Sequence, residues 1–376
     1  MDFSYTEEQT LLRNSVSKYL ADKYTFESWR KFTRGDAGRD PAHWAQFAEL
    51  GLLAAPLPEA HGGLGGGTVD ASVVMEEFGK ALVVEPYVPT VVIGGGFLKH
   101  GGNDAQKSEW LNKIATGETI MAFAFAEPKG RYNLADLSTA AKKQGSNYVL
   151  SGQKAVVIAA PWADQLIVTA RTAGGQRDSK GVSVFLVDKK AKGVATRDYP
   201  TVDGLRASEI TFENVEVPAA NLIGEADNGL PLVERVVDEA IAATCAEATG
   251  CMQVLVDTTV AYSKQRKQFG VPIGKFQVLQ HRMVDMFVNY EQSVSITLMV
   301  TLKLDAGEAE RAKAASAAKV TIGKAGRYVG QQAVQIHGGM GMTDELNVGH
   351  YFKRLTMIDA LYGNTDHHLK RYAALA

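Results

Sequence analysis

The chain has 376 residues, 45% of them hydrophobic and 22% charged, with a formal net charge of −2. That size gives material for two or three globular domains, and no Lys/Arg run supplies the basic face that nucleic-acid binding requires. No apolar run reaches the ~18 residues of a membrane-spanning helix. The opening MDFSYTEEQTLLRNSV, with Asp2, Glu7 and Glu8, has neither the apolar centre of a signal peptide nor the basic bias of a transit peptide, so the expected location is cytoplasmic.

Residues 6–33 and 41–55 have helical periodicity, through Leu11, Leu12, Val16, Tyr19 and Leu20 in the first and Trp44, Phe47, Leu50 and Leu52 in the second. The run HGGLGGGTVD at 61–70 has the glycine content of a phosphate loop, but no strand-turn-helix context surrounds it and no Gly-Lys-Ser/Thr follows. It reads as a flexible inter-helix loop. Residues 70–119 give three more helical segments, ending at Gly117.

At residue 121 the period changes. MAFAFAE (121–127), NYVLSGQKAVVI (147–158), DQLIVTART (164–172), GVSVFLVD (181–188), ATRDYP (195–200) and SEITFENVEVP (208–218) are β-branched or aromatic runs punctuated by Gly, Pro, Asn and Asp. Turns this short leave no room for crossover helices, which predicts antiparallel pairing. From about Pro231 the pattern is helical again, over 231–267, 275–304, 308–337 and one last helix near 351–374. Long neighbouring helices joined by short loops predict a bundle. The expected fold is multidomain α and β: an N-terminal α-helical domain (1–120), a middle antiparallel β domain (121–230) and a C-terminal long-helix bundle (231–376). Cys245 and Cys251, six apart in a helical pattern, read as reduced core residues rather than a bridge.

The stretch YSKQRKQFGVPIGKFQVLQ (262–280) interrupts the helical pattern at Phe269-Gly270 and turns at Pro272 and Gly274. Arg266 and Gln268 place a fork-shaped cation and an amide beside the reversal. Two readings are open: basic residues that favour the helix macrodipole at a C-terminus, or a corner that holds a phosphate.

Several strings at matching spacing make the chain resemble the acyl-CoA dehydrogenase family across essentially its whole length. They are TEEQTLLRNSV, ELGLLAAPLPEAHGG (49–63), AEP (126–128), LSGQK (150–154), FENVEVPAANLIGEADNG (212–229), RKQFGVPIGKFQ and AVQIHGGMGMTDE (333–345). HGGMGMTDE with YFKRLTMIDALYGNTDHHL is most similar to the small subunits of two-component bacterial dehydrogenases of the pimeloyl-CoA type.

The resemblance implies an FAD-dependent enzyme that removes an α-proton and a β-hydride from an acyl-CoA, leaving a trans-2-enoyl-CoA. It places the chain in fatty acid, dicarboxylate or sterol side-chain catabolism. It also implies an electron-transfer flavoprotein as electron acceptor and a homotetramer, or an α2β2 hetero-oligomer with a second acyl-CoA dehydrogenase-like subunit. Such chemistry needs a carboxylate of raised pKa over the α-carbon and donors to the thioester oxygen. On the family's pattern, Arg266, Gln268 and Phe269 match the corner that reaches a neighbouring subunit's FAD, and Gln335 and Gly339 match its second element.

The chain also departs from that pattern. Where the family has a Thr, a Ser, a Trp and a Thr near the flavin, this chain has Ala126, Tyr132, Val156 and Ile158. Opposite the family's catalytic Glu stands Tyr362, a poor base with an unperturbed pKa of about 10. Some relatives carry the base at a place that falls near Ala240, which makes Glu239 and Glu247 the candidates. Asp238 is a weaker one. The alternative for Glu239 is a solvated helix surface, and for Glu247 an ion pair between helices. His367 and His368 beside Asp366 lack a third ligand at metal-site spacing, so no metal is expected. His337 either touches cofactor or fills a turn. Two further readings stay open: a subunit without turnover that completes a partner's FAD site, and a flavin oxidase or monooxygenase.

Overall fold

Short-range signals start most of the helices. Thr6 caps α1 (Glu7–Lys23): its hydroxyl accepts from the Gln9 amide and the Gln9 side chain accepts from the Thr6 amide, which satisfies two N-terminal donors reciprocally. The helix expected over 6–33 breaks at Tyr24, and Thr25, accepting from the Ser28 amide, caps its continuation α2 (Phe26–Arg34). Asp40 caps α3 (Pro41–Glu49), which ends short of 55 because Gly51 turns the chain at φ +72°. The glycine-rich run is a loop whose Gly63 could bear no side chain, since a Cβ there would meet the Leu57 carbonyl oxygen at 2.1 Å. There follow α4 (Thr68–Ala81), a π-helical turn (Val88–Gly94) leading into α5 (Gly95–Gly101), and α6 (Asp104–Ala115), capped by Asn103.

The computed structural model describes residues 4–375, which divide into two compact units. One comprises 32–67 and 84–240, and its centre is a sheet of β1 (Met121–Ala124), β2 (Ala140–Gln144), β3 (Asn147–Ile158), β4 (Gln165–Arg171), β5 (Val182–Asp188), β6 (Val194–Pro200), β7 (Arg206–Pro218) and β8 (Leu222–Ile223). The order is β6-β7-β3-β2-β4-β5-β8, with β1 also along β4. Pairing is antiparallel except that β1 runs parallel to β4, Met121 opposite Gln165, and β2 meets the end of β4 in the same sense. The β2–β3 hairpin supplies the return path between β1 and β4, so no crossover helix is needed. Strands β2 and β8 escape the sequence pattern: AAKKQ is polar, and β8 has two residues. Strands β4 and β5 are buried nearly throughout. α6 is tied to the edge by Gln106, whose amide donates to the Ala220 and Leu222 carbonyls.

The other unit takes the described residues up to 31, 68–83 and 241 onward. It holds most of α7 (Leu230–Gln265), then α8 (Gln277–Lys303), α9 (Glu308–His337), α10 (Val348–Ala360) and α11 (Thr365–Ala374), with α1 and α4. The one last helix expected near 351–374 is in fact two. Tyr362 (φ +57°) and Gly363 (φ +113°) adopt backbone a helix cannot continue, and the Asn364 side chain caps α11 through the His367 amide. Small residues let α9 bury one face: Ala315, Ala318 and Ala333 are fully enclosed. Cys245 and Cys251 are reduced thiols without measurable exposure, and burial pushes the Cys245 thiol up to about 12.

The crossing of α4 and α7 is the tightest helix contact in this unit that glycine permits on both sides. A Cβ at Gly79 would lie 2.0 Å from the Glu247 carbonyl oxygen, and one at Gly250 would lie 2.0 Å from that of Glu76. Alanine favours helix by about 1 kcal/mol over glycine, but the obstacle is backbone, and overpacking costs about 1–3 kcal/mol or more. Gly250→Ala is therefore expected to lower stability by about 2 kcal/mol, read as a lower urea midpoint. An unchanged or raised midpoint would mean that the helices separate freely.

Candidate functional site

The reversal at 266–272 is a miniature hairpin appended to the end of α7. Lys267–Gln268 pairs antiparallel with Val271–Pro272, Gln268 opposite Val271. Phe269 (φ +53°) and Gly270 (φ +81°) both sit in the left-handed region, as the turn of a two-residue hairpin loop demands. The Ile273 amide donates to the Arg266 carbonyl at 2.8 Å, and the Arg266 amide to Tyr262 at 2.9 Å. Phe269 is 93% exposed and meets Phe276 edge-on at 6.1 Å. The charged groups of Lys264, Arg266 and Lys267 have no hydrogen-bond or ion-pair partner among the described residues. The corner is an exposed aromatic ring beside unneutralised cations on a fixed backbone.

The second element lies at the end of α9. Gln335 is exposed, Gly338 (φ +61°) leaves the helix, and Gly338–Met342 forms a 3-10 turn. A Cβ on Gly339 would touch nothing in this chain, so the space over it is open to an outside group. His337 is 3% exposed, with its ring stacked on Tyr262 at 4.3 Å and Nδ1 bonded to the Ala333 carbonyl at 2.8 Å. Burial lowers its basicity below that of a free imidazole. The stack joins Tyr262, one turn before Arg266, to His337, two residues after Gln335, and so brings the two elements together.

The carboxylate candidates are both buried. Glu247 is 3% exposed and held bidentately by Arg354 of α10, with Nη2 to Oε2 at 2.7 Å and Nε to Oε1. This is the interhelical ion pair left open by the sequence. Tyr362 lies within electrostatic reach, its phenol pushed up by burial and by the Glu247 charge against the pull of Arg354. Glu239 is not on a solvated surface. It is 6% exposed, with His100 Nε2 at 2.6 Å, Arg235 at 3.6 Å and Lys99 at 3.9 Å, because its helix face packs under α5. Burial would raise its carboxyl, but the His100 bond and the neighbouring cations outweigh that and hold it below the usual range. Asp238 is fully buried as well. Glu239 and Glu247 fall in different units.

His368 bonds the Tyr362 carbonyl and Ser316, and burial pushes it down to about 3. Among the described residues no group of His, Cys, Asp and Glu could hold a metal.

In the sheet unit, Val156 is 48% exposed at φ +51°, a left-handed conformation costly for a β-branched residue. Its amide reaches Glu209, which also accepts from the Tyr199 hydroxyl at 2.9 Å. Ala126 contributes its backbone, accepting from the Ala155 amide at 2.8 Å. Ile158 ends β3, and Tyr132 lies in the loop before β2. The loop that carries Ala126 is pinned by a pair the sequence reading passed over. Lys154, with no exposure, donates to Glu127 at 2.8 Å and also to Phe125 and Thr169, while Glu127 accepts from Ser138 and Thr139. Both residues lie inside the quoted strings AEP and LSGQK, and a lysine on an inward strand position was the available signal. Arg354 gave the same signal on the inner face of α10.

Family models described as the N-terminal, middle and C-terminal domains of acyl-CoA dehydrogenase match residues 6–118, 122–215 and 227–375. The chain is 30% identical over 372 residues to the probable acyl-CoA dehydrogenase YngJ of Bacillus subtilis, covering 97% of each. It superposes on butyryl-CoA dehydrogenase from Megasphaera elsdenii with TM-score 0.91 at 25% identity, over 100% of this chain and 99% of that one. The ChsE4-ChsE5 complex from Mycobacterium tuberculosis gives TM-score 0.90 at 25% identity, over 100% and 98%.

The Glu127–Lys154 pair makes stability depend on acid. Burial alone would raise the Glu127 carboxyl, but Lys154 and the Ser138 bonds hold it at about 2 in the folded state, below its ordinary 4.5. The stabilisation is therefore complete above the ordinary value and is lost as pH falls from there towards 2. Urea midpoints over that window should drop more steeply for the native chain than for Glu127→Gln/Lys154→Met. Parallel profiles would remove the pair from the account.

Proposed function

The chain belongs to the acyl-CoA dehydrogenase family, and on that premise we propose that it serves the α,β-dehydrogenation of an acyl-CoA thioester to a trans-2-enoyl-CoA. The cofactor of the family is FAD. The observation that carries this reading is the corner, where Arg266 stands without a counter-charge beside an exposed ring and an open glycine turn. That donor set fits an anionic dinucleotide: the guanidinium for the pyrophosphate, the Gln268 and Gln335 amides for polar edges, Phe269 for a flat ring, and Gly339 for close backbone approach. When bound, FAD supplies the acceptor for the hydride leaving the β-carbon.

The α-proton requires a base, and we assign it to Glu247 ahead of Glu239. Glu247 lies within electrostatic reach of Tyr362, the residue opposite the family's catalytic Glu, whereas Glu239 is engaged by His100, Arg235 and Lys99. Both oxygens of Glu247 are already engaged by Arg354. That engagement favours a second reading, in which the chain has no base of its own and lends its corner to the FAD of a larger subunit. The aliphatic Val156 and Ile158 support it. So does the likeness to the ChsE4-ChsE5 complex. We infer a homo-oligomer or an α2β2 assembly on the first reading and an α2β2 assembly on the second, with an acyl-CoA substrate and an electron-transfer flavoprotein as acceptor on both. The domain limits 1–120, 121–230 and 231–376 are proposed in the same way, supported by the limits of the matching family models.

Counting flavins per chain after purification, alone and with a co-expressed partner, separates the readings. A yellow chain bleached by acyl-CoA without oxygen supports the first, and a colourless chain that takes up FAD only with a partner supports the second. Arg266→Ala should weaken FAD binding about tenfold to a hundredfold, since a hydrogen bond to a charged group contributes about 1.5–3 kcal/mol. In flavin reduction Glu247→Gln should be slow and Glu239→Gln near normal. If neither change slows reduction, neither glutamate is the base.

A further inference from the structure

The flavin corner is assembled from two helices that contribute nothing to each other's hydrogen-bond ladders. Arg266, Gln268 and Phe269 follow α7, while Gln335 and Gly339 lie at and beyond the end of α9. The hairpin has two residues in each strand, and a two-stranded hairpin is marginal on its own. Its position is inherited from the last turn of α7, where the Tyr262 carbonyl takes the Arg266 amide.

We propose that His337 is the positioning residue of this corner, its ring stacked on Tyr262 so that the Arg266 hairpin and the Gln335–Gly339 turn keep one fixed separation. The proposal rests on the reading that the corner holds FAD. The rings are 4.3 Å apart and 29° from parallel. The Nδ1 bond to Ala333 at 2.8 Å sets the plane of the imidazole, because a ring tied at one nitrogen to its own helix cannot turn edge-on to the phenol. That bond makes Nδ1 the donor and leaves the lone pair on Nε2, which is buried and has no partner among the described residues. A buried acceptor left unmet is unfavourable to the fold. A phenylalanine would stack as well without that penalty.

The test uses the full chain in the assembly in which it purifies, with FAD as the probe. His337→Ala and Tyr262→Leu should each weaken FAD binding roughly twofold to tenfold, the range a stacked aromatic pair contributes, and the double variant should be no weaker than either. His337→Phe should restore affinity to within about twofold of the native chain while raising the urea midpoint. Hydrogen exchange supplies a readout without flavin: His337→Ala should speed exchange at the Arg266 and Ile273 amides, and His337→Phe should not. If those amides are unaffected in His337→Ala, or if Arg266→Ala weakens FAD and His337→Ala does not, the positioning role is overturned. If Arg266→Ala itself leaves FAD binding unchanged, the corner does not hold the dinucleotide, and the proposal falls with that reading.

Discussion

A charge taken out of water is unfavourable by several kcal/mol unless an opposite charge or aligned dipoles meet it, and the interior of this protein is arranged around that constraint. Lys154 meets Glu127, Arg354 meets Glu247, and Glu239 meets His100 and Arg235. Lys319, 1% exposed, has only the Ile358 and Asp359 carbonyls at its amine among the described residues, and burial accordingly pushes it down to about 8. The corner after α7 reverses the pattern. There cations stand unmatched where water can reach them. Charge is neutralised inside and left unneutralised at the tip of one helix.

Periodicity was a good guide wherever one face of an element is buried and the other is not. The three long C-terminal helices and the strands at 147–158, 181–188 and 208–218 follow it closely. It fails where the signal is not amphipathic. AAKKQ pairs through its backbone and carries no apolar alternation, and β1 takes its parallel partner from a hairpin that sequence spacing does not reveal. The α10–α11 break depends on left-handed backbone at Tyr362, a residue type that gives no warning of it. Glu239 looked like a surface residue because its partners come from α5, more than a hundred residues away. The site shows the same division. The reversal after α7 was legible because it is local in sequence. Arg354 against Glu247 was not, because a bidentate pair is a fact of packing between distant helices.

Helix α7 connects these observations. Along its length it presents a clustered carboxylate at Glu239, an ion-paired one at Glu247, the glycine crossing with α4 and, one turn before its end, the ring that seats His337. It is the longest of the described helices, at 36 residues. The sheet unit adds positions that keep their backbone and lose their polar side chains, as at Ala126 and Val156.

The two cysteines acquire a meaning from this arrangement that has nothing to do with redox. A thiol reacts as its thiolate, and Cys245 is both sealed and held far from ionising, while Cys251 donates to the Gly79 carbonyl at the crossing itself. Cys251 meets no reagent while α4 lies against α7. Each trapping of that thiol by an alkylating agent therefore records one parting of those helices, and the crossing carries a built-in clock for its own breathing.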